Sequence, residues 1–308
     1  MPVPINCDAI DQSKDEVLRM KDTPGLNKLF QHLAQIQVVL NFQTHPYAEL
    51  RYQICSVSAC VIKVRCCWFL VSAGHLVTDL KKYVVDENAR IVTCKLFDPS
   101  LTENNWPPIP FPIFDAGQPT LIADGVPNFS INEDGNDFLV IGLRPNEIEL
   151  LAAGGLIPLN ESYWEECPET ASDYYLVGLP TSLRDGGPTF SSIGLRVRGE
   201  HSAMVVPVRP CAAPEGVETE TERFYATVPI IEDVWNGKPF SDIGGMSGGP
   251  IFACRSVSDS ETEYFLFAIQ SAWFPTNRII AACPLKPLAK LIAGKIDAHI
   301  LATSVSTA

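Results

Sequence analysis

The 308-residue sequence contains no hydrophobic run long enough to cross a membrane, and residues 1–8 have neither a basic segment nor an apolar core. These absences argue against a membrane protein and against a secretory signal, so we expect a cytoplasmic protein. Basic residues are also few, since 23 Lys and Arg stand against 36 Asp and Glu, for a net charge of −13. Such a charge disfavours binding to nucleic acid or to an anionic membrane surface.

The ten cysteines include no C-x-x-C pair, so the sequence offers no support for a structural zinc site. Three of them crowd one predicted hairpin, at residues 60, 66 and 67. Others, such as Cys94 and Cys254, lie in apolar, strand-like runs, where a free cysteine behaves as a small hydrophobic residue. We therefore predict reduced thiols, and neither a metal nor another cofactor.

The most informative segment that is present is the glycine-rich stretch at residues 241–250, which reads SDIGGMSGGP. A serine hydroxyl is a poor nucleophile unless a base lies beside it and hydrogen-bond donors await the oxyanion. The glycines around Ser247 allow a positive φ and a close approach to a substrate carbonyl. The N–H groups of Gly245 and Ser247 are then predicted to form an oxyanion hole. A glycine-rich surface loop without a catalytic role is the alternative interpretation.

A histidine and an aspartate lie upstream in settings that suit such a serine. Residues 68–77, WFLVSAGHLV, deliver His75 through a small-residue turn, and Asp137 precedes the apolar run FLVIGL. An imidazole can take the serine proton, and a carboxylate can hold the imidazole tautomer. A histidine beside apolar residues is more often structural when taken alone, and Asp137 or Asp134 could simply cap a turn. The apolar strand that begins directly after Asp137 favours it over Asp134 as the acid.

These three segments, in the order histidine, aspartate, serine, resemble the chymotrypsin-like (trypsin-like) serine peptidases. That family has a small-residue turn before its histidine, an apolar strand after its aspartate and a G-x-S-G-G-P turn at its serine. The resemblance covers roughly residues 56–292 and is most specific at Ser247. It implies a serine endopeptidase acting on a protein or peptide, with Ser247 as nucleophile, His75 as general base and Asp137 orienting the imidazole.

Three residues depart from the pattern of that family. Met246 stands where many secreted members carry an aspartate that receives the freed N-terminal amine during activation. Methionine cannot form that ion pair, so the turn is expected to be competent without N-terminal cleavage. Leu76 follows the histidine where secreted members commonly have a disulfide cysteine, and Gly74 replaces the usual alanine. None of these changes removes a catalytic atom, but they leave open a catalytically inactive, peptidase-like binding module.

The resemblance also suggests substrate-binding residues. Ser241, six residues before the nucleophile, falls at the base of the primary specificity pocket, and its small uncharged side chain disfavours Lys or Arg unless Asp242 turns inward. Residues 268–273, AIQSAW, resemble the strand that pairs with an extended substrate. If Ser271 precedes the pocket wall, Trp273 narrows the pocket. We therefore expect a small or medium apolar residue before the cleaved bond.

Beyond residue 51 the sequence consists of short β-prone runs separated by Gly, Pro and Asn clusters, a pattern typical of barrels or sandwiches. With the resemblance, this predicts an all-β fold of two antiparallel six-stranded β-barrels, with the candidate site in the cleft between them. The predicted segments are an N-terminal extension (1–50), a barrel carrying His75 and Asp137 (51–150), and a barrel carrying Ser247 together with a C-terminal helix (151–308). Residues 209–223, with four glutamates, are predicted to form a flexible acidic loop.

Helical periodicity predicts a helix near each end of the chain. Apolar residues recur at helical spacing after the N-cap-like pair Thr23-Pro24, which predicts an amphipathic helix over residues 24–41. Its role would be either to pack on the barrel or to dock a protein partner. The second helix is predicted over residues 285–300.

Residues 245–249 also match G-x-S-x-G, the turn that holds the nucleophile of α/β-hydrolase esterases. That turn needs a helix after the serine, whereas Gly248, Gly249 and Pro250 suit the entry to a strand. The α/β-hydrolase order also places the acid and the histidine after the serine, where the only histidine is His299, inside the predicted C-terminal helix. The esterase interpretation is therefore disfavoured.

Overall fold

The structure of the protein is a computed structural model. It describes residues 26–42, 51–85, 89–97, 109–110, 120–121, 127–133, 136–167, 171–181, 184–185, 188–191, 194–197, 200–201, 203–217, 221–235, 238–240, 242–258 and 261–306. Within these ranges the strands form an eight-stranded sheet, a closed six-stranded barrel and three two-stranded sheets. The predicted β-rich class is therefore confirmed.

The N-terminal half of the chain forms the eight-stranded antiparallel sheet. Its strands are β1 (Leu33–Phe42), β2 (Arg51–Val64), β3 (Cys67–Ser72), β4 (Ala89–Phe97), β5 (Ile109–Pro110), β6 (Thr120–Leu121), β7 (Pro127–Glu133) and β8 (Asn136–Gly142). They lie side by side in the order β5–β4–β1–β2–β3–β8–β7–β6, and the helix α1 (His75–Val85) follows β3. Among the described residues this sheet is not closed, so the first of the two predicted barrels is not confirmed.

Residues 33–42 form a strand, so the predicted helix over residues 24–41 is wrong. A 3₁₀-helix covers only Leu26–His32, and β1 then runs between β2 and β4. Each residue from 33 to 40 is buried, which means that both faces of this central strand are covered. A strand buried on both faces does not alternate in polarity, so its apolar residues matched a helical spacing by coincidence. The adjacent β-branched residues Val38 and Val39 favour the extended conformation.

The strand also removes the docking role that the predicted helix could have had. Because β1 is hydrogen-bonded to a neighbour along each edge and buried on each face, it offers no free surface to a partner.

The predicted division of the chain at residues 50 and 150 stays a prediction. β1, from the predicted N-terminal extension, nevertheless pairs with β2 inside the sheet.

The C-terminal half forms the closed barrel, reached through the short helices α2 (Pro145–Ala153) and α3 (Ser162–Glu165). The strands of this half of the chain are β9 (Asp173–Gly178), β10 (Arg184–Asp185), β11 (Pro188–Ser191), β12 (Gly194–Val197), β13 (Glu200–His201), β14 (Met204–Pro210), β15 (Phe224–Thr227), β16 (Ile231–Trp235), β17 (Lys238–Phe240), β18 (Pro250–Ser258), β19 (Glu261–Phe274) and β20 (Ile279–Pro284). The barrel order is β14–β15–β20–β19–β18–β9, and the other six strands form the two-stranded sheets. Helix α4 (Leu285–Ser306) follows β20. The predicted barrel in this half and the predicted C-terminal helix are confirmed.

One hydrophobic core spans the two halves. Phe69 and Val140 of the sheet belong to the same buried cluster as Phe252 and Ile269 of the barrel and Leu288 of α4. Burying a side chain of this size contributes roughly 1.5–3 kcal/mol relative to leaving it exposed. Apolar packing therefore holds the sheet against the barrel, and the candidate site lies along this junction.

Three features are absent from the part of the chain that the structure describes. No helix there is both long and apolar enough to span a membrane. The nine described cysteines form no disulfide bond with one another, and the sulfur atoms of the adjacent Cys66 and Cys67 lie 4.0 Å apart. No group of three or more His, Cys, Asp or Glu side chains in the described ranges is arranged to hold a metal ion.

Candidate active site

His75 lies where a buried strand ends and a helix begins. β3 is buried at its C-terminal end, Ala73 and Gly74 continue the chain as a buried turn, and α1 starts at His75 itself. The small residues that the sequence shows before the histidine therefore form this buried turn. The imidazole keeps 33% of its side-chain surface exposed, so it can be reached from solvent.

Asp137, the second residue of β8, holds His75 by two hydrogen bonds. Its Oδ1 accepts the backbone N–H of His75 at 2.6 Å, and its Oδ2 accepts from the ring Nδ1 at 2.6 Å. The first bond satisfies a donor at the N-terminus of α1, where no intrahelical acceptor exists. Because a carboxylate only accepts, Nδ1 carries a proton, and Nε2 of the neutral ring is left as the basic nitrogen. Asp134, the competing acid, lies outside the described residues.

The surroundings of His75 raise its pKa above the ordinary value for histidine. The hydrogen bond to Asp137 is the largest cause, and the charges of Asp137 and Asp79 act in the same direction. Burial of the ring and the positive charge of Arg223 oppose the rise. Arg223 is therefore close enough for its charge to act on the imidazole.

The serine loop is a tight turn anchored in the barrel core. The N–H of Met246 donates to the carbonyl of Ile243 at 3.0 Å, and Gly245 has a φ of +91°. This is a type II turn, whose third residue requires a positive φ and therefore glycine. The side chain of Met246 is fully buried among the barrel residues. An apolar anchor thus occupies the position where the sequence lacks an aspartate.

Gly248 brings the serine loop against the strand that leads to His75. Its φ is +84°, and a Cβ at this position would lie 2.0 Å from Ser72 Oγ, 2.2 Å from Ser58 O and 2.9 Å from Ala73 N. Only glycine fits contacts this close. Ser247, the preceding residue, is therefore held beside the turn that follows β3.

The structure brings Ser247 and His75 to neighbouring turns but does not join them by a hydrogen bond. Among the described residues, the only hydrogen bonds within the predicted triad are the two between His75 and Asp137. Ser247 itself is partly exposed. In free enzymes the bond between nucleophile and base is often long or poorly aligned and tightens only when substrate is bound.

The N–H groups of Gly245 and Ser247 differ from their neighbours in having no acceptor among the described residues. The other four N–H groups of residues 244–249 are used: Gly244 donates to Asp242 Oδ1, Met246 to Ile243 O, Gly248 to Gln270 O and Gly249 to Met246 O. Two unused donors on one rigid turn are what a developing oxyanion requires. The sequence predicts these two donors as an oxyanion hole, and that role stays a prediction.

The predicted specificity residues on the serine side are only partly described. Ser241 lies outside the described residues. Asp242 is exposed, and its Oδ1 accepts the N–H of Gly244 at 2.9 Å. One oxygen of the Asp242 carboxylate therefore caps the start of the serine loop.

The predicted substrate strand has a free edge. β19 pairs with β18 only as far as Ile269, whereas its pairing with β20 continues to Phe274. Ser271 is buried and donates to the carbonyl of Ala281 at 3.1 Å, and Trp273 is half-buried. Within the described ranges, residues 271–274 therefore have a strand partner on one side only, and an extended peptide could pair with the other side.

The site contains two polar groups to which no motif in the sequence points. Ser58 of β2 accepts the N–H of Leu179 at 2.9 Å and donates to the carbonyl of Gly245 at 3.3 Å, so it ties the sheet to the serine loop. Arg223 donates from Nη2 to Ser271 Oγ at 2.5 Å. A serine inside the apolar run of β2 is only a weak signal of a polar contact at the site. Arg223 gives no signal of its own, because it lies at the end of the loop predicted to be flexible and acidic.

No protein-family model and no curated protein sequence matches the chain. Among solved structures, it is similar to the active form of the Rv3671c protease from M. tuberculosis, with 9% identity, a TM-score of 0.39, and coverage of 89% of this chain and 82% of that one. It is also similar to AL20, a thermostable serine protease from an extremophilic microorganism, with 9% identity, a TM-score of 0.41, and coverage of 85% and 95%. Tobacco etch virus protease complexed with product gives 11% identity, a TM-score of 0.35, and coverage of 87% and 80%. The solved structures that resemble this chain include serine proteases of the chymotrypsin-like fold, the family predicted from the sequence. Because identities and TM-scores are low, the function is inferred from the site itself.

The contact at Gly248 predicts a specific effect of Gly248→Ala. The new methyl group would collide with Ser72 and Ser58. We therefore expect overpacking and backbone strain to lower the free energy of unfolding by about 2–5 kcal/mol. Gly155→Ala is the matched control, because Gly155 also has a positive φ, +98°, but a Cβ there would meet nothing within 4 Å. In that variant the free energy of unfolding should fall by only about 1–2 kcal/mol, because backbone strain acts alone. Urea unfolding of both variants measures the difference, and equal losses would contradict the close contact.

The hydrogen bond from Asp137 predicts how His75 titrates. His75 should titrate above its ordinary value of about 6.5, and Asp137→Asn should lower that pKa. Because the folded pKa is raised, the imidazolium contributes stability that is fully present below the unfolded pKa and is lost as the pH rises through the folded pKa. Titration of the ring followed by histidine NMR in both proteins is the measurement. An unchanged pKa in Asp137→Asn would show that Asp137 does not hold the ring in solution.

Proposed function

We propose that the protein is a serine endopeptidase that cleaves peptide bonds through an acyl-enzyme. The observation that carries this proposal is the contact of Gly248 with the end of β3, which holds Ser247 beside the turn carrying His75. The two hydrogen bonds from Asp137 to His75 supply the oriented base that a serine nucleophile needs. The fold and the site together support this function better than any other.

In the proposed reaction, Ser247 Oγ attacks the scissile carbonyl while Nε2 of His75 takes its proton. The oxyanion that forms is stabilised by the N–H groups of Gly245 and Ser247. His75 then passes the proton to the leaving amine, and the C–N bond breaks to give the acyl-enzyme. His75 next deprotonates a water molecule that attacks the ester carbonyl, the C–O bond to Ser247 breaks to release the acid product, and the proton on His75 returns to Ser247 Oγ. Asp137 stabilises the imidazolium in each step.

Substrate binding is proposed to occur along the free edge of β19. An extended peptide paired with residues 271–274 would gain main-chain hydrogen bonds whatever its sequence. A small or medium apolar residue before the cleaved bond remains our expectation, with Trp273 narrowing the pocket. The buried Met246 supports a serine loop that keeps its shape without an ion pair to a new N-terminus.

Two other functions match parts of the sequence. The esterase alternative loses support because strand β18, rather than a helix, begins directly after the serine loop, at Pro250. A catalytically inactive binding module is favoured by one observation, the lack of a hydrogen bond between Ser247 and His75 among the described residues. Covalent labelling distinguishes this module from the proposed peptidase.

The proposed nucleophile predicts labelling by a fluorophosphonate probe at Ser247. Ser247→Ala should abolish the label and His75→Ala should slow it sharply, because the hydroxyl then has no base. Ser256→Ala, which changes an exposed serine of β18, is the matched control and should label like the parent protein. Intact-mass and peptide mass spectrometry locate the label. If the folded parent protein takes up no label while a known serine peptidase in the same tube does, the binding module becomes the better account.

A further inference from the structure

Arg223 lies between the two halves, beside the candidate site. Just before it, Thr221 accepts a hydrogen bond from Asn136 Nδ2 at 3.3 Å, and Asn136 is the residue that precedes Asp137. Arg223 itself donates from Nη2 to Ser271 Oγ at 2.5 Å, on the strand proposed to bind substrate. The guanidinium therefore contacts Ser271 of β19 and Cys283 of β20, and its own chain segment reaches the start of β8 through Thr221.

Most hydrogen-bonding capacity of this guanidinium is unused. Arginine has five N–H donors, and the described residues accept only from Nη2, through Ser271 Oγ at 2.5 Å and Cys283 Sγ at 3.6 Å. Its Nε is buried and has no partner among the described residues, and the side chain as a whole is half-buried. No carboxylate of the described residues pairs with it. A half-buried cation without a counter-ion is costly, so the site favours an anion supplied by a ligand.

The direction of a bound peptide places one of its side chains near Arg223. In an extended chain, successive side chains point to opposite faces. The residue that supplies the scissile carbonyl directs its side chain towards the pocket beside the serine loop. The residue before it then points to the opposite side of the peptide, where we place the guanidinium of Arg223, which is bound to Ser271 of the strand that the peptide would pair with.

Taking the proposed peptidase function as its basis, we propose that Arg223 forms a carboxylate-binding subsite. It accepts the Asp or Glu side chain of the residue immediately before the one that supplies the scissile carbonyl. A carboxylate can accept two parallel N–H bonds from a guanidinium, which favours it over a neutral amide of the same shape. The protein would thus select acidic peptides although its own net charge is −13.

The test is cleavage of a peptide library randomised around the scissile bond, with cut sites read by mass spectrometry. At the position before the scissile residue, the parent protein should prefer Glu over Gln by about tenfold or more in kcat/KM. Arg223→Gln should bring this ratio close to one, and Arg223→Glu should shift the preference to Lys. The ratio is read within each protein, so a variant with lower overall turnover still reports it.

Arg255→Gln serves as the control, because Arg255 is an exposed arginine of β18 that already pairs with Glu263. It should keep the preference for Glu. A parent protein that is labelled at Ser247 by a fluorophosphonate but cleaves Glu and Gln peptides equally overturns the subsite and leaves the peptidase standing. Retention of the Glu preference in Arg223→Gln also overturns the subsite. A parent protein that is neither labelled nor active overturns the peptidase itself, and the subsite with it.

Discussion

A buried carboxylate that binds both the backbone and the ring of one histidine is the contact on which the site depends. Burying a carboxylate is costly unless its oxygens accept hydrogen bonds, and each oxygen of Asp137 accepts one from His75. One bond fixes the start of α1 and the other fixes the ring. Since β8 and β3 are paired neighbours in the sheet, the orientation of the imidazole is set by strand pairing rather than by a loop.

Ser247 lies on the other half of the molecule from this histidine, and contacts of three residues position its loop. Gly248 allows the loop to contact the end of β3 because it has no Cβ, and Ser58 ties the same loop to β2. Met246 fills the barrel core below the turn. Among the described residues, the N–H groups of Gly245 and Ser247 have no acceptor, and the same junction between sheet and barrel positions both the proposed base and these proposed oxyanion donors.

The strands, the C-terminal helix and the serine turn could be predicted because local signals specify them. Glycines at 245 and 248 do adopt the positive φ that the sequence suggested. The strand over residues 33–42 could not be predicted, since burial on both faces erases the alternation that marks a strand. Arg223 and Ser58 were missed because their importance arises from partners far away in the sequence, Ser271 and Gly245.

We propose that Ser247, His75 and the N–H groups of Gly245 and Ser247 act on one reacting group. A crystal structure of the protein after reaction with a fluorophosphonate tests this claim most directly. The account predicts phosphorus bonded to Ser247 Oγ, a phosphoryl oxygen about 2.7–3.1 Å from the N–H nitrogens of Gly245 and Ser247, and His75 Nε2 facing the adduct with Asp137 still on Nδ1. An adduct on another residue, or an imidazole turned away from Ser247 with Asp137 unbound, would contradict it.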